Sequence, residues 1–324
     1  MSVGKAVSWI LLAACGPLIA WLPFPLIMKS LLAQATFSAL FALGVGLLIK
    51  QNGMISFGHA AFFGLPGYLL GVLLPYQLVS AELLICAALL LSGGLAFVLG
   101  LVFVRAQGIA FGMLTLAIGQ AVYEAATRIR WLSGGNDGLT LKLPAKIFGL
   151  SLKVLQQPSG MLAVSWLVMV ATLAIVSLLA SSRFGRLTEA IRDNEERARF
   201  LGYRTLWPRA AVFGLSAVVT GVGGVMFALY SGFISPDTVH WTASGSALIM
   251  AILGGSGTSW GPIAGALVYF FLKESLDSFT THWLSIIGVA LIVITVAFPT
   301  GLAGLVPFAR QLIANRREAR LARA

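Results

Sequence analysis

The sequence has little charge and lacks the short motifs of common soluble enzymes. Asp, Glu, Lys and Arg make up only 10% of its 324 residues. Neither a G-x-S-x-G nor an H-E-x-x-H sequence occurs, and the three histidines, at positions 59, 240 and 282, are far apart. The single Gly-Lys pair, at residues 4–5, is not part of a G-x-x-x-x-G-K-[ST] phosphate-binding loop, which excludes ATP hydrolysis by that route. We therefore predict a protein that is not an enzyme and has no cofactor or metal.

Cysteine is also scarce. The two cysteines, Cys15 and Cys86, both lie in apolar runs, so we predict buried, small apolar side chains rather than a disulfide or a metal site. The net charge of +11 alone would suit nucleic-acid binding. A chain that is 58% hydrophobic with a mean hydropathy of +0.93 is outside the range of soluble proteins, however, and this excludes a nucleic-acid partner.

Long apolar runs fill most of the chain. Runs of roughly 20 residues recur, which is the length an α-helix needs to cross a bilayer. We predict an all-α polytopic membrane protein with about ten transmembrane helices (range 8–10), some of them discontinuous and Gly-rich. A single transmembrane domain would cover residues 1–309, with residues 183–209 as a loop within it, followed by a basic tail at 310–324. The predicted spans are 6–22, 27–49, 57–79, 82–104, 109–127, 159–181, 210–231, 243–256, 260–275 and 283–298.

Positive charge indicates the orientation. Residues 183–209, called the charged loop below, hold seven arginines and four acids, which is 11 of the 33 charged side chains. The charged loop and the tail are the most basic segments, and the positive-inside rule places both in the cytoplasm. Four predicted spans separate them, and an even number of crossings returns the chain to the same side of the membrane. The N-terminus is then also cytoplasmic, the first apolar run is a retained helix rather than a signal peptide, and the polar loop 128–158 lies outside.

The charged loop has the pattern of an amphipathic helix. Apolar residues fall at helical spacing between Phe184 and Leu201, and Gly202 is placed to end the helix. We predict one helix here, which favours docking of a cytoplasmic partner; a solvated helix that serves only topology is the alternative. Two acid-to-base pairs at i,i+4 spacing would support this helix. These pairs are Asp193–Arg197 and Glu195–Arg199, and the apolar stripe consists of Leu187, Ala190, Ile191, Ala198 and Leu201.

Acidic residues are rare inside the spans. Carriers driven by protons or sodium normally need acids near the middle of the membrane, whereas Glu124 lies near the end of its span. Without such acids and without a phosphate-binding loop, energy has to come from a separate motor protein. An ion-coupled secondary transporter that works alone is the alternative from another class.

Several segments together resemble one family. They occur in order at Gly53–Gly64, Ser133–Leu139, Phe184–Arg186, Ala190–Glu195, Leu201–Tyr203, Ser235–Asp237, Leu253–Thr258, Trp260–Pro262 and Pro299–Leu302. They are similar to the LivM-type permeases, a membrane subunit of the branched-chain amino acid ABC importers, which have urea-type and aromatic-acid-type relatives. The chain departs from the family at Gly46, Lys50 and Ser246, where the resemblance implies Asn, Gly and an acid.

The resemblance implies a bacterial inner-membrane importer with several partners. These are a second LivH-like permease, two cytoplasmic ABC ATPase subunits and a periplasmic substrate-binding protein, with branched-chain amino acids as the expected substrate and urea, short amides or aromatic acids as alternatives. The implied ATPase-coupling residues are Phe184, Gly185, Arg186, Leu187, Ala190, Ile191, Arg192, Asn194, Ala198, Leu201 and Gly202.

The Gly-rich breaks between helices have two interpretations. Discontinuous helices can offer backbone groups to a solute, and glycines can equally serve close helix packing. With the resemblance, we expect a translocation path at these breaks. The candidates for the path are Ser56, Phe57, Gly58, His59, Gly254, Gly255, Gly257, Thr258 and Gly261.

Overall fold

The computed structural model describes residues 3–77, 79–106, 108–277 and 301–304, with a few isolated positions between 285 and 292. These residues are mostly helical. The α-helices are α1 (Val3–Trp21), α2 (Leu26–Asn52), α3 (His59–Leu73), α4 (Ala81–Phe103), α5 (Ile109–Arg128), α6 (Arg130–Ser133), α7 (Leu152–Gln156), α8 (Pro158–Ser181), α9 (Arg183–Asp193), α10 (Glu195–Phe200), α11 (Leu206–Ser231), α12 (Trp241–Gly254) and α13 (Gly261–Asp277).

Among the described residues, six helices are long and apolar enough to cross a membrane. They are α2, α3 with the 3₁₀ turn that continues it to Tyr76, α4, α5, α8 and α11; α12 is shorter. A multi-pass membrane protein is therefore confirmed, whereas the count of ten spans and the cytoplasmic termini stay predictions. The predicted span 283–298, almost entirely, and the tail 310–324 lie outside the described residues.

Helices α2 and α11 form the centre of the bundle, and small residues let their backbones approach closely. A Cβ at Gly44 of α2 would lie 2.1 Å from Oγ1 of Thr220 in α11. On another side of α11, a Cβ at Gly224 would lie 1.7 Å from the carbonyl oxygen of Phe63 in α3. Membrane helices associate through such small-residue contacts because lipid provides no hydrophobic driving force between them. Helices α4, α5 and α8 lie around this centre, each with one face exposed.

The loop predicted at 128–158 is folded rather than irregular. It contains α6, α7 and two short antiparallel ladders. One ladder joins β1 (Leu139–Thr140) to β4 (Phe233–Ile234), and the other joins β2 (Lys146–Ile147) to β3 (Leu150–Ser151). The all-α prediction therefore misses these ladders. The β1–β4 pairing holds the loop against the end of α11 that is farthest from the charged loop.

The prediction that both cysteines are buried is wrong. Cys15 and Cys86 are exposed on α1 and α4. An apolar run in sequence does not distinguish the face of a membrane helix that meets other helices from the face that meets lipid, because both faces are apolar.

Candidate functional site

The charged loop forms two helices rather than the single helix predicted. Helix α9 ends at Asp193, and Asn194 has an extended backbone with φ −158° and ψ 96°. Its side-chain oxygen accepts a hydrogen bond of 2.8 Å from the backbone N–H of Arg197, which caps the start of α10. Asn favours this capping position over a helix interior, so Asn194 divides the predicted helix into two.

This division changes one predicted ion pair and leaves the other. Glu195 and Arg199 lie within α10 and form the expected i,i+4 pair at 2.6 Å. The predicted Asp193–Arg197 pair is wrong, because the break separates the two residues and Asp193 instead contacts Arg192 at 2.7 Å. The predicted helix end at Gly202 is confirmed. Its φ of +87° and the hydrogen bond from Tyr203 N–H to the Ala198 carbonyl form a Schellman motif.

The inner face of α9 is fixed to the end of α2. Ile191 is 2% exposed, and the Thr188 hydroxyl donates a hydrogen bond to the Gln51 side-chain oxygen. Arg192 Nη1 donates to the backbone carbonyl of Lys50 at 2.6 Å. Since the last turn of α2 leaves carbonyl groups without helical partners, an arginine donor there stabilises both helices. Displacement of α9 would therefore act directly on α2.

A second connection joins α10 to α11 through Glu195. Its carboxylate accepts hydrogen bonds from Arg199 at 2.6 Å, from the Thr205 hydroxyl at 2.8 Å and from Arg209. Arg209 is only 8% exposed. Burial alone would raise the pKa of Glu195, but the hydrogen bond from Thr205 and the charges of Arg209 and Arg199 outweigh it and lower the pKa below its usual value.

The outer face of the charged loop carries an open groove of about 420 Å³ between α9 and α10. Its floor is apolar and its rim carries three arginines. We call it the loop groove; it is lined by Arg183, Arg186, Leu187, Ala190, Asn194, Arg197, Ala198, Leu201 and Tyr203. Leu201 is 71% exposed, although its side chain is large and apolar. An exposed apolar surface with a charged rim is typical of a protein–protein contact.

The predicted coupling residues therefore divide between two faces. Arg186, Leu187, Ala190, Asn194, Ala198 and Leu201 line the loop groove, and Gly202 ends α10. Phe184, Gly185, Ile191 and Arg192 instead pack against the rest of the chain or bond to it. Sequence reasoning missed Arg183, Arg197 and Tyr203 in the groove. It also missed the anchor Glu195–Arg209, because Asp193 and Glu196 lie within two residues of Glu195 and nothing in the sequence singles out one of these acids.

The predicted path residues at the first break are enclosed. Ser56 and His59 are fully buried between α2 and α3, and Phe57 is half-buried. The two ring nitrogens of His59 lie 2.7 Å from the Ser56 hydroxyl and 2.9 Å from that of Ser216. A Cβ at Gly58 would lie 2.1 Å from the carbonyl oxygen of Thr115 on α5, so this glycine serves close packing.

Two backbone N–H groups at this break also bond to side-chain hydroxyls. The Phe57 N–H donates to the Thr115 hydroxyl at 3.2 Å, and the Ala60 N–H donates to the Ser244 hydroxyl at 2.7 Å. Irregular backbone within a membrane is stable only where it is buried in protein or lines a water-filled cavity. At this break the irregular backbone is buried in protein.

The second break, between α12 and α13, is similarly closed around its glycines. A Cβ at Gly254 would lie 1.8 Å from the Gly261 carbonyl oxygen, and Gly301 lies against Gly255. Thr258 caps the start of α13 by accepting from the Gly261 N–H at 3.1 Å. Only Gly257 of the predicted candidates is exposed. Within the described residues, the path candidates at the first break and those at the second break do not line a common open cavity.

Comparison with known proteins identifies the family. A family model described as branched-chain amino acid transport system / permease component matches residues 27–296. The chain belongs to this family. Permease LivM of the high-affinity branched-chain amino acid transport system from Escherichia coli (strain K12) is 23% identical over 307 residues, covering 88% of this chain and 72% of the relative. Members are permease components of ABC transporters rather than enzymes.

A second group of relatives is named for the import of autoinducer 2 rather than of branched-chain amino acids. The autoinducer 2 import system permease protein LsrC from Escherichia coli (strain K12 / DH10B) is 31% identical over 257 residues, covering 76% of this chain and 69% of the relative. No solved structure matches the chain.

The structure shows the contacts of the three residues at which this permease departs from its family, Gly46, Lys50 and Ser246. A Cβ at Gly46 would lie 2.3 Å from Cγ of Pro262, so a larger residue would push α13 away from α2. Lys50 Nζ donates to the Ser259 hydroxyl at 3.3 Å, and the Tyr269 hydroxyl donates to Ser246 at 3.3 Å. All three departures therefore lie at contacts with α13 or the turn before it.

Proposed function

We propose that this permease imports a small polar solute, most simply a branched-chain amino acid, from periplasm to cytoplasm across the bacterial inner membrane. Separate ATPase subunits that dock on residues 183–209 supply the energy. Support for the cargo comes from similarity to LivM, and the similarity to LsrC favours autoinducer 2 as the second candidate. Urea, short amides and aromatic acids are further alternatives implied by the family resemblance.

The observation that carries the proposal is the position of the loop groove. Its open face is turned away from the bundle, while the opposite face of the same two helices is bonded to α2 and α11. A protein seated in the groove would contact Leu187, Ala190 and Leu201 and place acidic side chains near the arginine rim. Movement of that protein would reach α2 through Arg192 and α11 through Glu195.

The proposed assembly has one copy of this chain, a LivH-like permease, two ABC ATPase subunits and a periplasmic binding protein. Both termini and the charged loop then lie in the cytoplasm. The few acids within the described spans support an external energy source over an ion-coupled carrier.

A charge reversal on the groove rim tests the docking. The variant Arg186→Glu/Arg197→Glu is compared with Arg204→Glu, which changes an exposed arginine of the same loop outside the groove. We expect the first variant to lose at least about tenfold in affinity for the purified ATPase subunits, because reversed rim charges repel acidic partners. ATP-dependent uptake of L-leucine in proteoliposomes should fall with it, while Arg204→Glu retains both. Equal binding by the two variants would overturn the docking, and uptake by this chain without ATP would overturn the proposed energy source.

A further inference from the structure

An exposed polar surface, separate from the residues predicted for the path, lies beside the spans α3 and α5. It joins α5, the 3₁₀ turn Pro236–Val239 and the start of α12. We call it the polar patch; its members are Gln120, Tyr123, Asp237, His240 and Thr242. The rings of Tyr123 and His240 are 4.7 Å apart, which makes α5 and α12 one continuous surface.

The depth of the patch follows from helix contacts. A Cβ at Gly64 of α3 would lie 2.2 Å from Val239 Cγ1, so Val239 packs directly on Gly64. Gly64 precedes Leu73, the end of α3, by about 14 Å along the helix axis at 1.5 Å per residue. Gln120 similarly lies about 12 Å before the end of α5. The chain therefore turns back among the spans before α12 begins, and polar side chains accompany it.

Other exposed faces of the bundle have different chemistry. The exposed residues of α8 include Leu167, Ile175 and Leu178, and those of α4 include Leu90 and Val98. These are the side chains that lipid favours. The polar patch instead exposes Asp237 and Thr242, with Gln120 and His240 partly exposed. Ionisable side chains are costly in lipid and usually face a protein partner or a water-filled cavity.

The polar patch also leaves hydrogen-bonding groups free within the described residues. Asp237 has no Lys, Arg or His within 4 Å of its carboxylate among them. His240 Nδ1 accepts from the Thr242 N–H at 3.4 Å and lies 2.8 Å from the Thr242 hydroxyl, whereas Nε2 has no hydrogen-bond partner in the described part of the chain. Beyond Thr242, open space faces Gly245 on the same side of α12, because a Cβ there would meet no atom within 4 Å.

We propose that the polar patch lines the route of the solute, and that Asp237 and His240 bind the ammonium and carboxylate groups of a zwitterionic amino acid. The carboxylate of Asp237 complements an ammonium group, and His240 complements a carboxylate oxygen when Nδ1 accepts from Thr242 and Nε2 carries the proton. The second permease closes the other side of the route. This inference rests on the proposed import function, and it assigns the path to a surface other than the Gly-rich breaks.

The first test measures whether the surface is in water in the assembled importer. Single-cysteine variants Thr242→Cys and Ile175→Cys are made in a chain with Cys15→Ala and Cys86→Ala, because both native cysteines are exposed. A charged, membrane-impermeant methanethiosulfonate reacts with thiolates, which form in water. We expect Thr242→Cys to react at least about tenfold faster than Ile175→Cys, and L-leucine with its binding protein to slow the reaction. A Thr242→Cys rate no faster than that of Ile175→Cys would overturn the proposal.

The second test concerns the chemical class of the solute. In the same proteoliposomes Asp237→Asn should reduce L-leucine uptake at least about tenfold, the loss expected when a charged hydrogen bond becomes neutral, and Asp237→Glu should retain most of it. Unchanged uptake in Asp237→Asn would overturn the ammonium assignment. Failure of the wild-type complex to import L-leucine with ATP would count against the proposed function, and uptake of autoinducer 2 instead would remove the zwitterion assignment while the labelling test stands.

Discussion

The first helix break and the charged loop are both polar, yet they use polar groups in opposite ways. At the break, each ring nitrogen of His59 lies within hydrogen-bonding distance of a serine hydroxyl, and the neighbouring N–H groups of Phe57 and Ala60 bond to hydroxyls. On the charged loop, one face is bonded to α2 and α11, and the other leaves arginines around an open apolar floor.

The comparison separates polar groups that stabilise the fold from polar groups that can bind another molecule. A polar group satisfied within its own chain has no bond to offer a solute or a partner, and opening it costs free energy. The exposed guanidinium groups on the rim of the loop groove and the exposed carboxylate of Asp237 in the polar patch have that capacity. Of the four predictions that follow, three probe this division and one probes the packing of the helix bundle.

The largest effect should come from Glu195→Ala. It removes the anion that pairs with Arg209, which is only 8% exposed. Leaving a buried charge without its partner costs about 3–5 kcal/mol of folding free energy. Thermal unfolding of the detergent-solubilised protein measures this loss. Glu196→Ala, at the next residue and exposed, should change stability by less than about 0.5 kcal/mol. Equal effects of the two substitutions would show that Glu195 is not an anchor.

A smaller effect is expected at the close contact between α11 and α3. Gly224→Ala places a methyl group 1.7 Å from the Phe63 carbonyl oxygen, so α11 and α3 would have to separate. Such overpacking costs about 1–3 kcal/mol. The matched control is Gly94→Ala in α4, where no atom lies within 4 Å of the new methyl group. There alanine should be neutral or slightly stabilising, because it favours helix more than glycine does.

The two described histidines should respond differently. His59→Leu leaves the hydroxyls of Ser56 and Ser216 without their partner, and we expect a loss of about 1–2 kcal/mol, since hydrogen bonds between membrane helices contribute modestly. His240→Leu removes only contacts with Thr242 at the exposed start of α12, so it should cost less stability than His59→Leu and instead reduce L-leucine uptake. If His240→Leu destabilised the protein as much as His59→Leu, the distinction between buried, hydrogen-bonded polar groups and exposed ones would be contradicted.

The smallest effect concerns pH. Because the pKa of Glu195 is lowered in the folded protein, its stabilisation is fully present above the unfolded-state pKa of 4.5 and is lost as pH falls through the lower, folded-state pKa. The stability difference between wild type and Glu195→Gln should therefore be constant from pH 7 to pH 5 and shrink only below about pH 4.5. A difference that already disappears near pH 6 would contradict this assignment.

The sequence was sufficient to predict most of the long apolar helices and the family. Apolar runs of about 20 residues have one stable form in a membrane, so α2, α4, α5, α8 and α11 were located within a few residues. The charged loop does lie between two of these helices, α8 and α11, as predicted. Its division at Asn194 was missed because the apolar spacing continues across the break, while the extended backbone at Asn194 depends on a local capping bond.

The position of open surfaces could not be predicted from the sequence. Ile191 and Leu201 belong to the same apolar stripe, yet Ile191 is 2% exposed and Leu201 is 71% exposed, because the break turns the two helices in different directions. Likewise, Ser56 and Thr242 are similar hydroxyl residues near helix starts, and only their tertiary neighbours decide which is enclosed.

Cross-linking of the charged loop to the ATPase tests the central claim most directly. Leu201→Cys lies in the loop groove, and Ile191→Cys lies on the buried face of the same loop; both are made in the chain without its native cysteines. With a short thiol cross-linker and the assembled importer, the account predicts that Leu201→Cys forms a covalent product with the ATPase subunit and that Ile191→Cys does not. A product from Ile191→Cys with none from Leu201→Cys would contradict the account.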